Sequence, residues 1–271
     1  MTEKLSIAII TFNEAANVRR TLESVSFAHE IIVIDSGSTD GTPDICREYT
    51  DKVFFQAWTG YARQKNIAIG KAQGEWILSL DADEPIEPAL ADEIKSIMAL
   101  PSAADAYRIP RKTFFLGKWM KRGGWYPDYN VRLFRNGKGR FEERIVHEAL
   151  KIDGSIGTTH YAIEHYAYPD LASYMATINK YSSLAVDVME LKGLTIFKTG
   201  WVNILFRPML TFLNKYVLRL GFLDGKHGLV LNLFHAAYVF AKYAKAWERT
   251  LQKTSGRPRS ASVTEPPESA T

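Results

Sequence analysis

Four short apolar runs in the first 81 residues, separated by stretches with helical spacing, restrict this chain more than any other feature. The runs are Leu5–Ile10, Glu30–Ile34, Lys52–Phe55 and Trp76–Leu80. Each is too short for a helix and is bounded by polar or glycine-bearing turns, so each reads as a buried strand. Helices are predicted between them, over about 15–26, 43–49 and 61–72. Strands alternating with helices in this rhythm call for a parallel sheet with crossover helices, an α/β fold. Open sheets of that kind bind ligands outside the carboxyl ends of their strands. Thr11-Phe12-Asn13-Glu14, Asp35 and Asp81-Ala82-Asp83 all fall at such ends, so they are predicted to share one rim.

The fourth run stops abruptly in Asp81-Ala82-Asp83-Glu84. Alternation at a strand end puts Asp81 and Asp83 on one side, with Ala82 turned away. Two close carboxylates repel unless a cation sits between them. Hard oxygen ligands suit Mg²⁺ or Mn²⁺, which bind one or two carboxylates plus substrate phosphates. A solvated acidic loop, with Glu84 capping the next helix, is the plainer reading. For Asp35-Ser36-Gly37-Ser38-Thr39-Asp40-Gly41, the plainer reading is a turn that caps the following helix.

These segments, with Ala62-Arg63-Gln64-Lys65-Asn66 and Gly74-Glu75-Trp76, resemble the family 2 glycosyltransferases in order and approximate spacing. The resemblance continues through Gly123-Gly124-Trp125-Tyr126-Pro127-Asp128, Arg132-Leu133-Phe134-Arg135, Val146-His147-Glu148 and Ile163-Glu164-His165-Tyr166. That second set is similar to the bacterial lipopolysaccharide core β-1,4-glucosyltransferase branch. Together the motifs span residues 4 to 180.

The resemblance implies a GT-A fold, a Rossmann-like domain that binds a nucleotide-diphospho-sugar. It implies that Asp35 accepts hydrogen bonds from the base, uracil, and that Thr11, Asn13 and Glu14 line the base and ribose pocket. It places Asp81 near the ribose, Lys65 and Asn66 at the donor site, and Asp83 on the metal that neutralises the diphosphate. A solvated helix face is the plainer reading of Lys65 and Asn66. Inverting transfer needs a carboxylate to take the acceptor's proton. His147-Glu148-Ala149-Leu150 resembles the family's base position, though many members have Glu-Asp where this chain has His-Glu. Glu148 is therefore the expected base, His147 the residue positioning acceptor or diphosphate, and Asp128 the rival base. His160 and His165 lack the further ligands that a zinc site wants.

The chain's 271 residues suffice for one large domain core and an appendage. One cysteine, Cys46, rules out an internal disulfide and suits a reducing compartment. The start, Met1-Thr2-Glu3-Lys4, leads straight into the first strand, so no signal peptide is expected. Between Lys192 and Lys253 ten Lys or Arg face two acids, Asp224 and Glu248, giving +8 in a chain of net +4 and leaving −4 elsewhere. Amphipathic helices are predicted over 201–220, with a kink at Pro208, and over 229–247. Neither is apolar enough to span a bilayer, and basic, aromatic helices of this kind suit a membrane interface. Packing on protein is the alternative. Arg108 to Arg122 reads as a mobile basic loop, and Leu171 to Leu191 as a helix closing the catalytic domain.

The expected organisation is a catalytic domain over 1–195, an amphipathic membrane-association region over 196–251 and a disordered tail over 252–271. The expected partners are a UDP-sugar, a lipid-linked glycan acceptor and an anionic membrane surface, with no nucleic acid. The expected place is cytoplasmic, peripheral to a bacterial inner membrane. Alternatives are a polyprenyl-phosphate glycosyltransferase and a non-catalytic nucleotide-sugar-binding scaffold. An Asp-x-Asp phosphohydrolase would carry its pair near the first strand rather than the fourth.

Overall fold

The computed structural model describes residues 3–143, 149–193 and 200–255. The chain divides into two compact units. One comprises the described residues up to Thr113 with Pro127–Ala167, and the other comprises Phe114–Tyr126 with the described residues from Tyr168 to Ser255.

The first unit opens with β1 (Leu5–Thr11), α1 (Val18–Ser24), β2 (Glu30–Asp35), α2 (Thr42–Arg47), β3 (Val53–Phe55), α3 (Tyr61–Gly70), β4 (Trp76–Asp81) and α4 (Pro88–Met98). After it come β5 (Ala106–Phe115), β6 (Lys118–Trp119), β7 (Asp128–Arg135), β8 (Gly139–Glu142), β9 (Ala149–Ile152), β10 (Ile156–Thr158) and β11 (Ile163–Tyr168). The main sheet runs β10-β5-β7-β4-β1-β2-β3, with β11 and β6 also paired to β5. Strands β3, β2, β1 and β4 are mutually parallel, as predicted. Beyond β4 the sheet turns mixed, because β7 runs antiparallel to both β4 and β5.

Every residue of β1 is buried. Ile7 and Ile9 pack on one face with residues of α1 and α4, among them Leu22, Leu90 and Ile94. Ala8 and Ile10 pack on the other with Ile32, Ile34 and α3's Ala68. Two covered faces explain why these strands read as unbroken apolar runs rather than alternating ones. Each fully buried leucine, such as Leu78 or Leu80, contributes about 1.5–3 kcal/mol.

Two expectations change here. Arg108 to Arg122 is not a mobile loop: its first part lies in β5, with Ile109, Thr113 and Phe115 buried. Its basic residues obscured the strand pattern, but Arg111 pairs with Asp128 at 2.6 Å and Lys112 with Glu87 at 2.5 Å. The boundary expected at 195 also moves. Helix α5 (Leu171–Leu191) groups with the C-terminal helices, because its Val186 and Met189 pack with Val239, Tyr243 and Ala246.

The second unit holds α5, α6 (Trp201–Phe212) and α7 (Gly225–Ser255), with a wide π-helical turn over Leu213–Leu218 and a tight turn over Gly221–Asp224. Pro208 lies inside α6. Helix α7 continues past the predicted start of the tail at 252 as far as Ser255. The last two residues of β5 pair with β6, and Phe115 and Met120 bury themselves with Tyr174 and Leu231. No helix among the described residues is long and apolar enough to cross a membrane.

Candidate active site

Strand register brings the predicted rim together. Thr11 of β1 lies opposite Asp35 of β2, and Ile10 lies opposite Asp81 of β4. The loops after β1 and β2 are then laced by side chains. Asp35 Oδ1 accepts the backbone N–H of Gly37 at 2.9 Å and of Ser38 at 3.0 Å. Asn13, with φ of 52°, receives Thr39 N–H on Oδ1 at 2.9 Å and donates its own N–H to Ser38 Oγ at 2.8 Å. Asp40 accepts N–H from Ala15 and Thr42, each at 3.0 Å. Thus Asp35 does cap its own turn, and that turn forms the wall of the site.

Acids gather against this wall. Burial first, then Asp83, Asp81 and Asp40, push the Glu14 carboxyl up to about 8, while a bond from Asn17 opposes them. Glu14 Oε2 accepts Asn17 Nδ2 at 2.9 Å. A buried, protonated carboxyl can donate a hydrogen bond to a ligand oxygen. Thr11 is buried, and its hydroxyl has no partner among the described residues.

Asp81 is held differently. Lys65 Nζ stands 2.9 Å from Oδ1, and Arg132 Nη2 stands 2.8 Å from Oδ2. Burial alone would raise this carboxyl, but the two cations hold it far below the usual carboxylate range. Arg132 also pairs at 2.6 Å with Glu84, which is fully buried and accepts Asp81's backbone N–H at 3.1 Å. Arg111 stands 3.4 Å from Glu84 and gives both Nε and Nη2 to Asp128 Oδ2. The chain of charges Lys65–Asp81–Arg132–Glu84–Arg111–Asp128 thus fixes the strand end from below.

Asp83 has a different neighbour, His165 of β11, with Nε2 3.3 Å from Oδ2. Burial raises the Asp83 carboxyl, His165 lowers it, and the net direction is down. His165 Nδ1 has no partner among the described residues. Asp83 and His165 offer one oxygen and one nitrogen donor. Among the described residues no three His, Cys, Asp or Glu gather to hold a metal unaided.

Of the sequence-predicted residues, the structure brings together Thr11, Asn13, Glu14, Asp35, Lys65, Asp81 and Asp83. Asn66 sits elsewhere: its amide exchanges bonds of 2.8 and 2.9 Å with the backbone of Phe141. Asp128 is tied to Arg111. Glu148 and His147 lie outside the described residues. His160 pairs with Glu93 at 2.9 Å, apart from His165's partner. Sequence reasoning missed Arg132, Glu84, Arg111 and His165 as site residues. Arg132 and His165 did lie in segments that carry the family resemblance, and Arg132 is also a charge inside the strand pattern of β7.

Comparison with known proteins places the chain in a family. Residues 6–156 match the model of Glycosyl transferase family 2. The chain is 29% identical over 252 residues to the lipopolysaccharide core biosynthesis glycosyltransferase LpsC of Rhizobium meliloti, covering 90% of this chain and 92% of that one. It is 30% identical over 264 residues to an uncharacterized glycosyltransferase of Rickettsia bellii, covering 93% and 89%. Its fold resembles the mannosyltransferase PcManGT of Pyrobaculum calidifontis, solved with GDP-Man and Mn²⁺. The TM-score is 0.53 at 15% identity, over 92% of this chain and 88% of that chain.

Proposed function

This chain belongs to glycosyl transferase family 2, and from that premise we propose that it is an inverting hexosyltransferase acting on a lipid-linked glycan. The donor in this reading is a UDP-sugar, with glucose as the hexose. The acceptor is the inner core of lipopolysaccharide, displayed at the cytoplasmic face of a bacterial inner membrane. The name of LpsC supports that acceptor class. The observation that carries the reading is the shared edge where Thr11 lies opposite Asp35 and its neighbour Ile10 opposite Asp81, with Asp83 close enough to raise the Glu14 carboxyl.

Each residue then has a task. Thr11's hydroxyl and the Glu14 carboxyl meet the nucleoside, while the Asp35 turn walls the base. Asp83 and His165 fit a divalent cation, since carboxylate and imidazole donors together suit Mn²⁺, with the diphosphate supplying further oxygens. When bound, such a cation neutralises the diphosphate as UDP departs. The Lys65–Asp81–Arg132 pairs keep Asp81 ionised and immobile beside it. Glu148 takes the acceptor's hydroxyl proton as that oxygen attacks the anomeric carbon, and UDP leaves with the electrons of the broken C–O bond.

A lipid surface suits the second unit. No residue of α6 is buried, and Trp201 and Leu205 are 70% and 61% exposed. Arg207, Lys215 and Arg219 follow along the same segment. Apolar burial with basic flanks is what holds a helix in an anionic interface.

Calorimetric titration of UDP with and without Mn²⁺ tests the site. Asp83→Asn is expected to weaken Mn²⁺-dependent UDP binding by about 10–100-fold or more. Glu148→Gln is expected to keep that binding and lower turnover by about 10²–10⁴-fold. Unchanged Mn²⁺-dependent affinity in Asp83→Asn removes the metal assignment. A near-normal rate in Glu148→Gln, with a large fall in Asp128→Asn, transfers the base to Asp128.

A further inference from the structure

Two cations of the second unit, Lys215 and Arg219, stand against the turn Gly123-Gly124 without an acidic partner among the described residues. Lys215 Nζ donates to Gly123 O at 3.3 Å and lies 4.9 Å from the centre of the Trp125 ring. Arg219 O accepts the Gly123 N–H at 2.9 Å. The Arg219 side chain lies flat against Gly124: a Cβ there would stand 2.4 Å from Nη1 and 3.1 Å from Cδ. Both glycines have positive φ, 70° and 77°, so the turn takes a shape that side-chain-bearing residues resist and lets the guanidinium approach.

Among the described residues neither Lys215 nor Arg219 forms an ion pair. The nearby carboxylate, Asp224, is buried and accepts Arg122's backbone N–H at 2.8 Å. Burial and the neighbouring Arg219 lower the Lys215 ammonium. Burial, Lys215 and Lys242 push His235 down to about 4, so that ring stays neutral beside Trp125. Trp125 Nε1 is buried and without a partner among the described residues, a further unused N–H donor. Aromatic surface adjoins on the same hairpin, where Trp119 meets Tyr126 edge-on and Lys121 sits over Trp119.

Two like charges, one of them half-buried, converge on a turn with no counter-charge among the described residues. That arrangement is unfavourable when empty and is relieved by an anion. A guanidinium laid against exposed backbone offers the fork that phosphate oxygens accept bidentately. We propose that Arg219, Lys215 and the Gly123-Gly124 turn form a binding site for a phosphate group. The group is carried either on a phosphorylated saccharide of the acceptor or on a phospholipid headgroup. The link to the acceptor rests on the reading of this chain as a glycosyltransferase of lipid-linked glycans; the anion site itself does not.

The test uses the full chain, with two probes. Glucose 6-phosphate is titrated against glucose while tryptophan fluorescence is followed, and phosphatidylglycerol vesicles are sedimented in parallel. The phosphorylated sugar or the anionic vesicle is expected to bind, and Arg219→Gln to weaken that binding by about tenfold or more. Arg219→Lys is expected to restore part of it. Arg219 is exposed, so its replacement leaves the core intact, and an unchanged melting curve verifies that. A loss confined to the sugar arm assigns the saccharide phosphate, and a loss confined to vesicles assigns the headgroup. Equal affinity of wild type and Arg219→Gln in both arms overturns the site, and equal binding of glucose and glucose 6-phosphate overturns its assignment to a saccharide phosphate. UDP affinity, read separately, reports on the donor site and is expected to be the same in both proteins.

Discussion

The two units handle positive charge in opposite ways. In the first, cations meet carboxylates: Lys65 and Arg132 on Asp81, Arg132 and Arg111 on Glu84, Lys112 on Glu87. In the second, cations meet carbonyls and rings: Lys215 on Gly123 O, Lys118 on Asp224 O, Arg207 over Tyr243. Arg249, paired with Asp187 and Glu190, and Lys253, 3.1 Å from Glu190, are exceptions in the second unit, and they pin α7 to α5. A cation closed by a buried acid defines geometry and little else. A cation resting on a carbonyl keeps most of its field for an outside anion. The first arrangement suits a site that must hold a sugar nucleotide in one pose; the second suits a surface that meets lipid or phosphate.

The contrast makes unequal demands on stability. Arg132→Met leaves Asp81 and fully buried Glu84 short of a counter-charge, and the expected loss is about 3–5 kcal/mol in chemical denaturation. The corresponding change in the second unit, Arg207→Gln, is expected to stay within about 0.5 kcal/mol. Similar losses in the two variants would erase the distinction. Next in size is pH. Glu14's raised carboxyl gives stability that is full below about 4.5 and lost as pH climbs through about 8. His235's lowered imidazole gives stability that is full above about 6.5 and lost as pH falls through about 4. Glu14→Gln should flatten the fall in stability between about pH 4.5 and 8, and His235→Gln the fall below about pH 6.5, each by at most about 3–5 kcal/mol. A fall that survives its own substitution disproves that assignment. The smallest effect concerns lipid. Replacing exposed Leu205 and Leu218 together by Ser is expected to weaken cosedimentation with anionic vesicles about tenfold at high salt, where charge is screened. Unaltered sedimentation would turn α6 from a lipid surface into a protein-packing one.

How far the sequence could be read follows from the range of the interactions. Strands β1, β2 and β4 and their polar ends were legible because burial on two faces writes a continuous local pattern. Helix α1 begins at Val18 rather than near 15, because Asn13 adopts a left-handed conformation and the turn after it runs on to Asn17. The partners of the acids were not legible. Arg132 lies 51 residues from Asp81, and nothing near either one announces the other. Glu84 looked like a helix cap because burial, not sequence, distinguishes a cap from the hub of an ion-pair chain. β5 was hidden for a related reason, since its basic residues match a solvated loop until Asp128 and Glu87 are placed beside them. Helix α5 looked like the end of the catalytic unit because its apolar stripe carries no label for what it covers.

The interleaving of the two units along the chain also bears on how the molecule is made. The hairpin Phe114–Tyr126 emerges from the ribosome before Tyr174 and Leu231, which cover its Phe115 and Met120. Strand β7, which separates β4 from β5 in the sheet, emerges after that hairpin. Neither unit is a continuous stretch, so the nascent chain must finish one around an apolar hairpin that still waits for its cover. Closing such long loops is entropically slow, and exposed apolar surface in the interval is where aggregation competes with folding. Growing chains of this protein are therefore most vulnerable between the completion of the sheet and the arrival of α7.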